Sequence, residues 1–463
     1  MLHLKHWQFR LLPTEARLLA TLAAPILTAQ LAQQSLAFAD TVMAGRVSAT
    51  DLAGVAVGGS IWWPVFLFLY GVLLAITPLV AQLHGAGKTS ETGPLARRGI
   101  VVGLPLMLIA ILLLRNAGFV FARMEVDPQV AAISIGYLKA ISWGLPAVAV
   151  FFVLRNLSEG LGLVRPSMLI GLASIPVNVA GNYVFIYGKL GLPAMGGVGC
   201  GWASTLSLWF MCGCMLLTLR RIKSYKRTHF FDLAKRQGVE GATQILRLGL
   251  PIGLSLLVEA SIFALIALFL SPLGALTVAS HQITLSYSAV IFMIPLSISS
   301  AITIRVGHAI GKQRYDRARL ISKAGLILNS SLALGTATLT LIFAKNIAAI
   351  YSRDPQVIAI AVGLLYLNAL YQFSDAFQVG AAAALRGYKD TRVPLMMIVF
   401  AYWVIGLPLG YSLALTELWG PPMGAKGFWI SLIVGLSIAA VLLGTRLRKV
   451  GRKREAESLS MNL

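Results

Sequence analysis

Residues 52–83, LAGVAVGGSIWWPVFLFLYGVLLAITPLVAQL, hold no charged side chain. A helix crosses the hydrocarbon core of a bilayer in about 20 mostly apolar residues, so this stretch can span with length left for tilt or a bend. Working outward, comparable runs at 17–44, 94–122, 129–154, 166–188, 197–220, 243–271, 277–304, 318–345, 356–385, 393–416 and 424–446 bring the predicted spans to twelve. Pro25, Pro64 and Pro251 are expected kink points. The 463 residues are 57% hydrophobic and 12% charged, with a mean hydropathy of +0.79. Soluble proteins carry about 25% charged residues, and half that share cannot cover a soluble surface of this size. The expected class is all-α integral membrane. A net charge of +22, from 39 Lys+Arg against 17 Asp+Glu, would suit nucleic acid only if displayed on a polar surface, which is nearly absent. The lipid bilayer, not nucleic acid, is the expected partner.

Basic residues accumulate on the cytoplasmic side of membrane proteins. With the N-terminus inside, 31 Lys and Arg fall in inner segments and seven in outer loops (Arg46, Arg115, Arg123, Lys189, Lys345, Arg353, Lys426), while Lys139 lies within a span. Both termini are therefore expected in the cytoplasm. Ala37-Phe38-Ala39 resembles a signal-cleavage site, but Gln30, Gln33, Gln34 and Ser35 interrupt the apolar core before it, which favours an uncleaved first helix. Cys200, Cys212 and Cys214 form no CxxC pair and suggest neither a disulfide framework nor a zinc site.

The chain repeats itself at an offset of about 227 residues. Asp127-Pro128-Gln129-Val130 returns as Asp354-Pro355-Gln356-Val357, Gly160 as Gly387, Met195-Gly196 and Gly199 as Met423-Gly424 and Gly427, Pro25-Ile26 as Pro251-Ile252, and Gly87-Lys88 as Gly311-Lys312. Six spans per repeat is an even number, so both halves enter the membrane alike. Two six-helix bundles related by an axis along the membrane normal, around a central cavity, are expected. The linear division is a first lobe at 1–220, a basic cytoplasmic linker at 221–242, a second lobe at 243–448 and a basic cytoplasmic tail at 449–463.

Most acids have structural explanations: Asp51, Asp127 and Asp354 read as helix N-caps, and Glu91, Asp232, Glu240, Asp316, Glu455 and Glu457 as solvated loop or tail residues. Asp40, Glu259 and Asp375 lie within spans. An ionisable group there costs at least about 2.5–3.5 kcal/mol and usually faces an interior or aqueous cavity. Helix glue or an ion pair is the structural alternative, with Lys139 as the only mid-span cation expected. Tyr371, Asp375 and Gln378 fall on one helical face, Gln33 and Asp40 on another, Ser255 with Glu259 on a third and Asn178 with Asn182 on a fourth. Carboxylates, a phenol and carboxamides are hard oxygen ligands, suited to sodium or to proton exchange. Gly85-Ala86-Gly87-Lys88-Thr89 lacks the first glycine of a phosphate loop, since position 82 is Gln82, and no nucleophile–base constellation is present. Neither catalysis nor an organic cofactor is expected.

Phe38-Ala39-Asp40-Thr41-Val42-Met43-Ala44-Gly45, Pro251 with Glu259, Tyr371-Gln372-Phe373-Ser374-Asp375-Ala376, Leu385-Arg386-Gly387-Tyr388-Lys389-Asp390 and Gly424-Ala425-Lys426-Gly427 resemble the multidrug and toxic compound extrusion (MATE) family, and within it the NorM-like bacterial subgroup. The resemblance covers essentially the whole chain. It implies an inner-membrane antiporter that exports cationic, amphipathic drugs and dyes against inward sodium or protons. It also implies a cation site at Glu259, Tyr371 and Asp375, where sodium would bind, and a second acid site at Asp40 with Asn178 and Asn182. Gln33, Gln378 and Ser255 are the further polar residues expected along the cavity. No obligate protein partner is implied, and the chain is taken as a monomer. A lipid-linked oligosaccharide flippase of the same superfamily is the competing function, for which basic side chains in the cavity would be expected.

Overall fold

The computed structural model describes residues 2–124, 126–232 and 240–461. Among them there is no strand. The helices are α1 (Leu2–Gly45), α2 (Ala49–Gly85), α3 (Thr89–Arg123), α4 (Pro128–Ser142 and Leu145–Gly160, bent by 49°), α5 (Arg165–Tyr187), α6 (Gly197–Arg221), α7 (Glu240–Leu270), α8 (Ala275–Gly311), α9 (Tyr315–Tyr351), α10 (Pro355–Gly387), α11 (Arg392–Leu415) and α12 (Ala425–Met461). Each predicted span falls on one of them. Ten are individually long and apolar enough to cross a membrane, and bent α4 makes eleven. The twelfth, α1, is the one interrupted by Gln30, Gln33, Gln34 and Asp40. Rows of exposed Leu, Ile and Phe, such as Leu108, Ile109, Leu112 and Leu113 on α3 and Leu341, Ile342 and Phe343 on α9, are far larger than a soluble surface tolerates and suit lipid. The protein is a multi-pass membrane protein.

By contacts, the helices form two compact units: Thr28–Gly253, and Met1–Leu27 with Leu254–Leu463. Relative to the linear halves 1–220 and 243–448, each unit therefore takes in the start of one helix from the other half. In both α1 and α7 the handover follows a proline, Pro25 or Pro251, where the ring removes a backbone donor and weakens the helix. The first unit packs α2, α4 and α6 around Leu69, Leu73, Phe151, Phe152 and Met215. The second packs α8, α9 and α12 on α10 around Ile302, Leu364, Leu385, Phe428 and Trp429. Of the expected linker, residues 233–239 lie outside the described residues. Residues 222–232 are pinned to the first unit: Tyr225 Oη meets Ser158 Oγ at 2.5 Å, the Gly93 N–H donates to Thr228 O at 3.1 Å, and Arg97 donates to His229 O and Phe230 O.

The duplication is visible in the turns. Met195 and Gly196 donate to Phe185 O and Ile186 O at 3.0 and 3.2 Å, and Met423 and Gly424 repeat this on Leu413 O and Ala414 O at 3.0 and 3.1 Å. Asp127 and Asp354 cap α4 and α10 as expected, accepting from Gln129 N at 2.9 Å and Gln356 N at 2.8 Å. Two expectations are corrected. Gly87 is not the counterpart of Gly311: the same backbone bond closes on Lys88 after Gly87 and on Arg314 after Gln313, so the left-handed position is Gly87 (φ 77°) in one half and Gln313 (φ 58°) in the other. Asp51 is not the N-cap of α2. Ser48 is, accepting from Asp51 N at 2.9 Å, while Asp51 Oδ1 reaches across to accept the Gly197 N–H at 2.6 Å where α6 begins.

Candidate functional site

The first unit gathers three polar side chains around Asp40. Asp40 is 6% exposed near the end of α1. Its Oδ1 accepts from Asn178 Nδ2 at 3.1 Å and Asn182 Nδ2 at 2.6 Å, and its Oδ2 from Ser204 Oγ at 2.7 Å. Asn178 and Asn182, one turn apart on α5, are tied to each other at 3.2 Å. A carboxyl held by three donors is compensated for its burial, as an unpaired one would not be. Asn182 Oδ1 remains a buried acceptor without a protein partner. Ser204, on α6, was not among the predicted residues; only its place in the fold shows its role.

Gln33 does not join this cluster. Its Oε1 accepts from Arg155 Nη1 at 3.1 Å, and Arg155 Nε donates to Glu159 Oε1 at 2.6 Å. Both ions are buried, at 3% and 4% exposure, in the second segment of α4. The predicted span ends at 154, one residue short of this pair. Lys139, the one mid-span cation expected, is exposed and makes no ion pair among the described residues. Glu15, on α1 in the second unit, is a further buried acid not anticipated. At 2% exposure it receives Arg305, and Arg317 Nη2 at 2.9 Å. Asp40 and Asp375 are thus not the only buried acids, but among the described residues neither makes an ion pair; half-buried Glu259 makes none either and lies within electrostatic reach of Arg386.

The second unit brings Glu259 of α7 against Gln378 of α10, whose Nε2 donates to Glu259 Oε1 at 3.0 Å. Gln378 Oε1 is buried without a protein partner. Tyr371 and Asp375 lie on the same stretch of α10; Tyr371 is buried with its ring edge-on to Trp429, centroids 5.6 Å apart. Asp375 is 7% exposed, and no hydrogen bond reaches its carboxyl among the described residues. Ser255 sits one turn before Glu259, half-buried. Tyr402 was not predicted. It is buried within electrostatic reach of Glu259, Tyr371 and Asp375, on a π-helical stretch, Phe400–Gly406, inside α11. Such wide turns recur at functional sites, and apolar flanking sequence carries no mark of them. Two carboxyls, two phenols and a carboxamide therefore share one largely buried region of hard oxygen donors, with Glu259 half-buried, suited to a monovalent cation or a proton.

The MatE family model matches residues 25–184 and 251–412, one match in each half of the duplication. The chain is 46% identical over 445 residues to the probable multidrug resistance protein NorM of Shewanella oneidensis, covering 96% of this chain and 97% of that one. It is 44% identical over 449 residues to the multidrug resistance protein NorM of Photobacterium profundum, covering 97% and 98%. The chain belongs to the MatE family. Among solved structures, the eukaryotic MATE transporter AtDTX14 superposes with a TM-score of 0.86 at 20% identity, covering 96% of this chain and 99% of that one. An outward-facing multidrug resistance MATE transporter gives 0.85 at 19% identity, covering 96% and 97%. The two MatE matches start at the two prolines, Pro25 and Pro251, that precede the unit boundaries.

Proposed function

We propose that this protein is a secondary active efflux transporter. It exchanges cationic, amphipathic drugs for inward sodium or protons by alternating access, in the inner membrane with both termini cytoplasmic. The relatives named multidrug resistance proteins support this reading, and the observation that carries it is Asp375: a buried carboxyl with no protein donor, beside Tyr371 and near Glu259. A carboxylate left open in a membrane interior is costly to keep for structure alone. Charged, Glu259 and Asp375 attract a cationic drug; neutralised by a proton or paired with sodium, they release it. Asp40, with Asn178 and Asn182, is the second acid that this exchange would use. One charge crossing 100 mV contributes about 2.3 kcal/mol, so a single ion sustains only a modest drug gradient. No organic cofactor enters the cycle, and a monomer suffices.

The test is ethidium transport by reconstituted vesicles under imposed sodium or proton gradients. Asp375→Asn should abolish drug-stimulated ion release while the protein stays folded and monodisperse. Unchanged, gradient-driven efflux in that variant would overturn the assignment.

A further inference from the structure

Asp375 has a second neighbourhood besides Glu259 and Tyr371. It lines a small pocket within the second unit together with Ser288 of α8, Thr336 of α9 and Gln372 of α10. From that pocket a connected polar series leads away. Thr336 Oγ1 donates to Gln372 Oε1 at 2.8 Å; Gln372 Nε2 donates to Asn368 Oδ1 at 2.9 Å and to Thr340 Oγ1 at 3.0 Å; Thr340 Oγ1 meets Tyr287 Oη at 2.7 Å. Tyr287, where the series ends, is half-buried.

The spacing is that of one seam. Thr336 and Thr340 are a turn apart on α9, and Asn368, Gln372 and Asp375 fall at i, i+4 and i+7 on α10. Polar side chains between membrane helices can serve as glue, and then their hydrogen-bonding capacity is satisfied within the protein. Here it is left open at two places along the seam: the Asp375 carboxyl, and Asn368 Nδ2, which is buried without a protein partner. Buried polar groups of this kind are completed by ordered water or an ion.

We propose that this seam is a water-lined access route, inside the second unit, by which the coupling cation reaches Asp375 from the half-buried Tyr287 of α8. Loop charge puts the nearer end of α8, at Ala275, on the outer side. The proposal rests on the reading of Asp375 as the coupling carboxylate. Its ligand is a partly hydrated monovalent cation, sodium or hydronium, for which hydroxyl and carboxamide oxygens replace part of the water shell. Gln372 disfavours a relay of protons from side chain to side chain, because passing one through a carboxamide requires its high-energy imidic acid form. Water or the ion itself moves through instead.

Cysteine accessibility decides the matter. In full-length protein with Cys200, Cys212 and Cys214 replaced by serine, and transport retained, Thr340→Cys and Ala344→Cys are compared in right-side-out vesicles. The probe is 2-aminoethyl methanethiosulfonate added outside, with free cysteine trapped inside to consume reagent that crosses. Ala344 is the control, equally buried one turn on in an apolar cluster. The route predicts that Thr340→Cys reacts roughly tenfold or more faster than Ala344→Cys, with Thr336→Cys behaving like Thr340→Cys. Equal, slow reaction of all three would overturn it and leave the series as helix glue. Repeating Thr340→Cys with Asp375→Asn separates the two claims: fast labelling persists if the route exists, whatever Asp375→Asn does to drug-coupled ion release. Slowing by saturating sodium in the Asp375 protein identifies sodium as the ion, and no slowing identifies hydronium.

Discussion

The buried pair of α4 offers a sharp energetic test. Arg155 Nε lies 2.6 Å from Glu159 Oε1, its Nη1 3.1 Å from Gln33 Oε1, and its guanidinium carbon 5.7 Å from the centre of the Phe152 ring. Glu159→Gln keeps the shape and removes one charge. Arg155 is then a buried cation with neutral acceptors only, in a place water hardly reaches. Removing one partner of such a pair costs about 3–5 kcal/mol, because the remaining charge keeps its desolvation penalty. For a unit of this size about 2–4 °C of melting temperature is lost per kcal/mol, so Glu159→Gln should unfold roughly 6–20 °C lower. The double replacement Arg155→Met with Glu159→Leu removes both charges. By the same physics it should be neutral or more stable, by about 1–4 kcal/mol. Loss of monodisperse protein on heating in detergent, followed by size-exclusion fluorescence, measures all three. A Glu159→Gln melting temperature indistinguishable from the parent would refute the reasoning. A double variant as unstable as the single one would show that the pair itself, not the orphaned charge, holds α4 and α1 together.

Other consequences follow from close backbone contacts and strained positions. A Cβ on Gly93 would lie 2.3 Å from Thr228 O and 2.5 Å from Phe230 N, so Gly93→Ala should release residues 222–232 and speed tryptic cleavage at Lys226 and Arg227; unchanged cleavage would contradict it. Gly427→Ala puts a Cβ 2.7 Å from Ala414 N and should lower the melting temperature, whereas Gly335→Ala, with nothing within 4 Å, should raise it, since alanine favours a helix interior by up to about 1 kcal/mol. Gln313 holds φ at 58°, where its counterpart is glycine. A left-handed non-glycine residue costs about 1–2 kcal/mol, so Gln313→Gly should stabilise, and a lower melting temperature would show that the Gln313 side chain offsets that strain.

The elements legible in sequence are those whose cause is local. Apolar length marks the spans, Asp127 and Asp354 before proline mark two helix starts, and Tyr371, Asp375 and Gln378 show a polar face at helical spacing. Asp51 was legible only in part, because one carboxylate oxygen accepts from the Ser48 hydroxyl at its own helix start and the other accepts from Gly197 in a different helix. Glu15 was illegible for a similar reason. What makes its burial tolerable is Arg305, 290 residues away, and Arg317, 302 away. The Arg155–Glu159 pair is local, but it sits where α4 continues past its apolar stretch, so hydropathy ended the span too soon.

By itself, then, the sequence determined the membrane class, the twelve spans, the duplication and the three acids that stand out, because hydropathy and periodicity depend on composition within about 20 residues. Only the tertiary structure decided which groups meet. It gave Asp40 its three donors from α5 and α6, diverted Gln33 to Arg155, added Ser204 and Tyr402, and left Asp375 without a donor at the end of a polar seam. The physical reason is reach. A side chain's partners are set by packing between helices far apart in the chain, and an apolar environment leaves each buried polar group either paired there or open to water and ions.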